Sequence, residues 1–184
     1  MTSAIPSVST EVHGQAWSLE DCRTLRLLFE ASTKGHGPIR AYGADRVRYD
    51  LPVGRLLQGK LRQAFPDMRG VGSVAHVYRT MTTAPSSMSP HTCGALTIVV
   101  PPAGSTFEDA SPRTASVEGA RMVTSTCKVV VFLSTTTGSR FYFGGIGVQP
   151  VEGTAVRFAH GVSLSCEALG TEDKELTYLM LHAW

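Results

Sequence analysis

The residues best placed to do chemistry lie in Ser89-Pro90-His91-Thr92-Cys93-Gly94, a polar turn carrying one imidazole and, two residues on, one thiol. The turn runs straight into Ala95-Leu96-Thr97-Ile98-Val99-Val100, which is apolar and β-branched. Imidazole and thiolate are both metal donors. Metal-dependent β-barrels often hold their first ligands in such a turn, at the mouth of a buried strand. The other histidines have plainer readings. His13 and His36 fall in arm or loop context, His76 alternates with apolar neighbours as a polar-face residue, and His182 has no evident partner. No nucleophile elbow, phosphate-binding loop or H-E-x-x-H helix is present.

The elements that must position this turn can be read from pattern. Ser18-Leu19-Glu20-Asp21 is a capping box, a hydroxyl followed three residues on by a carboxylate. Leu25, Leu28 and Phe29 give the helix an apolar stripe, and Gly35, Gly37 and Pro38 end it. A second helix is predicted from Val53 to Phe65, closed by Pro66. Its Arg55, Lys60 and Arg62 form a basic face read as solvated surface, since no aromatic residues accompany them for stacking on bases.

From Gly72 the pattern changes to strands: Val74–Tyr78, Leu96–Val100, Lys128–Leu133, Gly138–Phe143, Val148, Thr154–Phe158, Glu167–Leu169 and Leu176–Leu181. Phe141 and Phe143 share a face at period two and are read as core. Phe107–Arg121 reads as a long loop. Short strands between Gly/Pro turns, after two helices, predict an α+β chain with a sandwich or jelly-roll body. Residues 1–15 are expected to form a flexible or extended arm, and residues 16–184 a single domain.

Bulk properties set the limits. The chain has 184 residues, 42% hydrophobic and 17% charged, enough for one core without staples. A net charge of +2 with no dense basic block gives no case for nucleic acid. No apolar run reaches the roughly 20 residues that span a bilayer, and Met1–Gln15 lacks a signal-type apolar core and any Lys or Arg. Cys22, Cys93, Cys127 and Cys166 are far apart with no C-x-x-C pair, so free thiols in a reducing, intracellular compartment are expected, the cytoplasm first.

The order of segments resembles the prolyl-4-hydroxylase-like branch of the Fe(II)/2-oxoglutarate dioxygenases over nearly the whole chain. Trp17–Cys22 is similar to the opening helix motif, and Asp45-Arg46-Val47-Arg48 with the following helix resembles the second. Met88–Cys93 resembles the F-x-P-H-x-D metal turn. Lys128–Leu133 with Gly138–Phe143 resembles the next hairpin, and Val148–Phe158 follows v-x-P-x-x-G-x-A-l-x-F. The resemblance implies a double-stranded β-helix (jelly roll) with N-terminal packing helices.

It also implies a facial triad of His-x-Asp and a distal His on Fe(II). Here His91 stands at the first place and Cys93 replaces the carboxylate. Anchoring on Cys166-Glu167-Ala168-Leu169 puts the distal position at Leu164, with His160 the nearest imidazole. The family's cosubstrate Arg falls near Thr177 or Tyr178, neither charged, and its tyrosine near Thr80. Lys174 falls where some members keep a lysine, within the charged turn Glu172–Glu175.

Two functions are therefore carried forward. The first is a catalytically inactive dioxygenase-like subunit of a larger protein assembly, with no catalytic residue and no cofactor expected. The second is an active hydroxylase of protein or small-molecule substrates, with Fe(II) on His91, Cys93 and His160 and 2-oxoglutarate on Lys174. A pocket that senses a small molecule without turnover is a third, weaker possibility. Partners are expected to be proteins, without membrane or nucleic acid.

Overall fold

A computed structural model describes residues 10–42, 46–81, 88–100, 108–109 and 121–184. In chain order the elements are β1 (Thr10–His13), α1 (Leu19–Thr33), β2 (Arg40–Tyr42), β3 (Arg46–Pro52), α2 (Arg55–Ala64), β4 (Gly70–Val71), β5 (Val74–Met81), β6 (Met88–Thr92), β7 (Thr97–Val100) and β8 (Glu108–Asp109). They continue with β9 (Arg121–Thr124), β10 (Cys127–Phe132), β11 (Phe141–Phe143), β12 (Ile146–Val148), β13 (Ala155–Ala159), β14 (Ser163–Cys166) and β15 (Glu175–Ala183).

The large sheet runs β1-β13-β10-β15-β5-β3-β2, with β4 on β15 and β8 on β4. A small sheet runs β12-β11-β14-β6, and β7 pairs with β9 as a separate ribbon.

Alternation in the central strands builds three layers. Val129, Val131 and Leu133, with Ala155, Leu179 and Leu181, face the helices and pack with Leu25, Phe29, Leu57 and Leu61. Val130, Phe132, Val156, Phe158, Tyr178 and Met180 face the small sheet and pack with Phe141, Phe143 and Leu164. Burying such a side chain contributes roughly 1.5–3 kcal/mol, so both faces of β10, β13 and β15 are committed. This is the jelly-roll architecture with packing helices that the pattern predicts.

The capping box forms as expected. Ser18 Oγ accepts the Asp21 N–H at 3.1 Å, and Asp21 Oδ2 accepts the Ser18 N–H at 3.2 Å. Lys60, read as surface, reaches Asp21 at 2.8 Å and joins α2 to the start of α1. That ammonium, with Ser18, holds the Asp21 carboxyl below its ordinary range.

Several elements differ from the sequence reading. Thr10–His13, expected within the arm, pairs with β13. Arg46, Val47 and Arg48, matched to the approach to a helix, belong to strand β3, and α2 starts at Arg55. The strand expected at Glu167–Leu169 lies earlier, at Ser163–Cys166. Of the expected loop Phe107–Arg121, residues 107 and 110–120 lie outside the described residues; Glu108–Asp109 pairs with β4 and Arg121 opens β9. The four cysteines are free, as expected. Burial pushes the Cys22 thiol up to about 11 and keeps it protonated.

One glycine fixes how the helical layer meets the sheet. Gly153 has φ +88°, and a Cβ there would lie 2.3 Å from the Trp17 carbonyl oxygen. Its own carbonyl accepts the Trp17 N–H at 3.1 Å, just ahead of α1. Gly145 has φ +91° but open space around it. Gly153→Ala is therefore expected to cost more than about 2 kcal/mol, and Gly145→Ala roughly 1 kcal/mol, in urea unfolding. Equal losses would show that the Trp17 contact is not what constrains the turn.

Candidate functional site

Of the expected turn Ser89–Gly94, residues through Thr92 form part of β6, the edge strand of the small sheet, so His91 is a strand residue. His91 pairs directly with Leu164 on β14, and Leu164 with Phe143 on β11. Directly paired residues project to the same face, so His91 shares the inward face of that sheet but sits at its edge, where it is exposed. Leu164 is fully buried. Cys93, one residue past the strand, is buried among the apolar side chains between the sheets.

His160 occupies the turn after β13. Its Nδ1 lies 3.2 Å from the Cys93 carbonyl oxygen and its Nε2 lies 2.9 Å from Ser125 Oγ. The same Oγ lies 3.0 Å from His182 Nδ1 and accepts the Leu96 N–H at 2.9 Å. The tautomers follow from what each atom can do. A carbonyl only accepts, so His160 carries its proton on Nδ1. Its Nε2 then accepts the Ser125 hydroxyl proton. With that proton used, His182 donates Nδ1–H to Ser125. The result is a directed chain, His182 to Ser125 to His160 to the Cys93 carbonyl, that ties the start of β7's approach to the ends of β13 and β15.

Both imidazoles are kept neutral. Burial, then the facing Lys128 ammonium, His160 and His76, take His182 down to about 4. Lys128 is its direct partner across β10–β15. Burial likewise lowers His160, opposed by its hydrogen bond to Cys93.

Sequence pattern offers His182 no partner; the fold supplies Ser125, a residue that sequence reasoning passes over. Period two along Leu176–His182 places His182 on the inward face, which is a usable signal. Ser125 carries none, because its partners lie 35 and 57 residues away.

The remaining predicted positions are uncharged core or surface. Thr177, Tyr178 and Thr80 are buried. Tyr178 stacks on Tyr78 at 5.1 Å, which puts a phenol one inward position from Thr80. Lys174 is exposed in the turn before β15. The preceding Asp173 anchors that turn by accepting N–H bonds from Thr137 at 2.8 Å and Gly138 at 3.0 Å.

No family model and no curated protein matches the chain. Solved structures do. A viral collagen prolyl hydroxylase from Paramecium Bursaria Chlorella virus-1, in a 2OG complex, aligns over 95% of this chain and 94% of its own, at 11% identity and TM-score 0.56. A 2OG-Fe(II) oxygenase family protein from Burkholderia pseudomallei aligns over 96% and 84%, at 12% identity and TM-score 0.57. The carbocyclase SnoK of nogalamycin biosynthesis aligns over 95% and 79%, at 10% identity and TM-score 0.61. The chain thus has the fold of the Fe(II)/2-oxoglutarate oxygenases, shared with prolyl hydroxylases among others.

The side chains do not fit an Fe(II) facial site, which needs two imidazoles and a carboxylate. Leu164 offers carbon, Cys93 a thiol set in apolar surroundings, and both nitrogens of His160 are engaged. Among the described residues no group of three His, Cys, Asp or Glu could hold a metal ion.

The histidine network carries a pH signature. His182 is depressed in the fold, so the unfolded chain binds a proton that the native one refuses between about pH 6.5 and 4. Its contribution to stability is present at neutral pH and lost as pH falls through that window, at most about 1.4 kcal/mol per pH unit. Comparing urea midpoints of the native protein and His182→Asn isolates it from the carboxylates. The native slope should be the steeper; identical slopes would contradict the assignment.

Proposed function

We propose that this chain is a catalytically inactive dioxygenase-fold protein that serves as a structural or protein-interaction subunit of a larger assembly. The observation that supports this most is the pairing of His91 with fully buried Leu164, at the place where the resemblance calls for the second imidazole. The uncharged Thr177 and Tyr178, at the place of the cosubstrate arginine, support it as well. A guanidinium–carboxylate fork is not replaced by a hydroxyl. The barrel itself needs only its apolar rows and turn glycines, and these are kept.

A second reading has one observation in its favour. His160 lies beside the Cys93 backbone, so His91, Cys93 and His160 gather at one end of the barrel. Under that reading they would bind Fe(II) in a non-standard set, with Lys174 toward 2-oxoglutarate, in a hydroxylase of protein or small-molecule substrates.

The two readings separate in one preparation. After anaerobic reconstitution with Fe(II), metal analysis is expected to find well under one iron per chain, and calorimetric titration with 2-oxoglutarate no saturable binding. Stoichiometric uptake of both would replace the first reading with the second. His91→Ala should leave co-purification with a partner assembly unchanged.

A further inference from the structure

We infer that β1 is an exchangeable strand through which this chain forms a dimer with a second copy of itself, Thr10–His13 of each copy pairing with β13 of the other. The inference goes beyond the proposed function and calls for no other partner.

β1 stands at one end of the large sheet and, among the described strands, pairs only with β13. Its ladder joins Thr10 to Phe158, Glu11 to Arg157, Val12 to Val156 and His13 to Ala155. Side chains add specific anchors. The Arg157 guanidinium bonds Glu11, bonds Asp67 at 2.9 Å, and lies 5.1 Å from the centre of the Phe65 ring. His13 meets the same ring edge-on at 4.8 Å. Phe65 is fully buried at the end of α2. The seat of β1 is thus built from β13, Asp67 and Phe65, and it recognises Thr10–His13 by backbone and side chain alike.

The connection from β1 to the body is short and strained. Only Gly14, Gln15 and Ala16 separate His13 from Trp17, which is buried and donates its N–H to the Gly153 carbonyl at 3.1 Å. Gly14 and Gln15 are exposed. Gln15 has φ +53°, the single non-glycine residue in the left-handed region among the described residues. A side chain there brings Cβ too close to the following carbonyl oxygen. Gly14, which would tolerate such a φ, stands one position too early. The closed turn therefore costs free energy that the seating of β1 offsets.

These features select a second copy as the occupant. Short connections under strain favour exchange of the element they tether. When the connection extends, Gln15 returns to the β region and its strain is released in both copies. Every contact of β1 is remade, because the seat on each copy is the same. Opposing this is the loss of translational and rotational freedom on association, so the exchange depends on concentration. Three extended residues span about 10 Å. The start of α1 in one copy must therefore lie beside the β13 edge of the other. A strand of different sequence would lack the match of Glu11 to Arg157 and of His13 to Phe65.

The test is sedimentation velocity of the purified full chain, which should show monomer giving way to dimer as concentration rises. Gln15→Gly removes the strain and should raise the dimer dissociation constant roughly thirtyfold. Gln15→Pro, whose ring holds φ near about −65°, cannot close the turn and should be dimeric throughout. A disulfide then reads which copy supplies the strand. Glu11→Cys combined with Arg157→Cys puts thiols on directly paired residues, at a Cα separation of about 4.5–5.5 Å that a disulfide spans. Oxidation of the isolated dimer should join two chains on a non-reducing denaturing gel. A native chain that stays monomeric at every concentration, a monomeric Gln15→Pro, a dimer indifferent to Gln15→Gly, or a disulfide closed within one chain would each overturn the inference. The assay contains no iron, 2-oxoglutarate or other protein, so its outcome is independent of whether the inactive-subunit reading survives.

Discussion

Strands β10, β13 and β15 carry buried apolar side chains on both faces, and this double commitment governs where everything else can sit. In β15, Leu179 and Leu181 face the helices while Leu176, Tyr178 and Met180 face the small sheet. A slip of one residue would exchange the two sets and leave rings against the helical layer. Register is therefore fixed from both sides at once. The helices, the small sheet and the turns between them inherit their positions from it. On these three strands the polar side chains of the inward face stand at the ends of the rows, at Lys128 and His182, with His160 in the turn beyond β13.

The same constraint lets carbon packing alone hold the shape of the barrel. At the centre of the barrel, Leu164 lies beside Phe143, and Phe141 meets Phe132 at 5.1 Å and Tyr178 at 5.0 Å, both edge to face. Such pairs add about 0.5–1.5 kcal/mol beyond burial. A carbon side chain at position 164 extends that packing, whereas an imidazole there would need a partner for each nitrogen. The turns are held separately. Gly138 and Gly170 approach so closely that a Cβ on Gly138 would lie 2.7 Å from the Gly170 Cα. Although burial works against it, hydrogen bonds from Thr137 and Gly138 keep the adjacent Asp173 carboxyl below its ordinary range.

Local chemistry is legible in the amino-acid sequence, and it accounts for a good part of the fold. Ser18 and Asp21 lie three residues apart, so their capping box follows from spacing alone. Phe141 and Phe143 give a period, and both are fully buried. The order of motifs carries the jelly roll, and aligning on Cys166–Leu169 puts Leu164 at the position that the register sets opposite His91. Features that depend on partners distant in the chain are not legible. Thr10–His13 is a strand because β13 offers it an edge, and nothing in a Ser/Thr-rich arm announces that. Arg46–Pro52 alternates charge with Val47, Tyr49 and Leu51, a fair strand pattern, but it reads equally as the approach to the helix that follows. Ser125 has no local pattern at all, and only the closure of the barrel brings it to two imidazoles.

The two polar regions of the barrel face are built differently. Around Ser125 every donor finds an acceptor within the chain: the Leu96 N–H, the Ser125 hydroxyl, His182 Nδ1–H and His160 Nδ1–H are all used. Such a network is neutral, inward and self-contained, and it spends its hydrogen-bonding capacity on holding strand ends together. At β2 and β3 the polar groups are charged instead. Arginines are stacked by register against arginine, and one carboxylate serves both Arg48 and His76. The histidine network is thus the part of the inward face whose donors and acceptors are accounted for within the chain, and it holds the ends of β13 and β15 to the approach of β7.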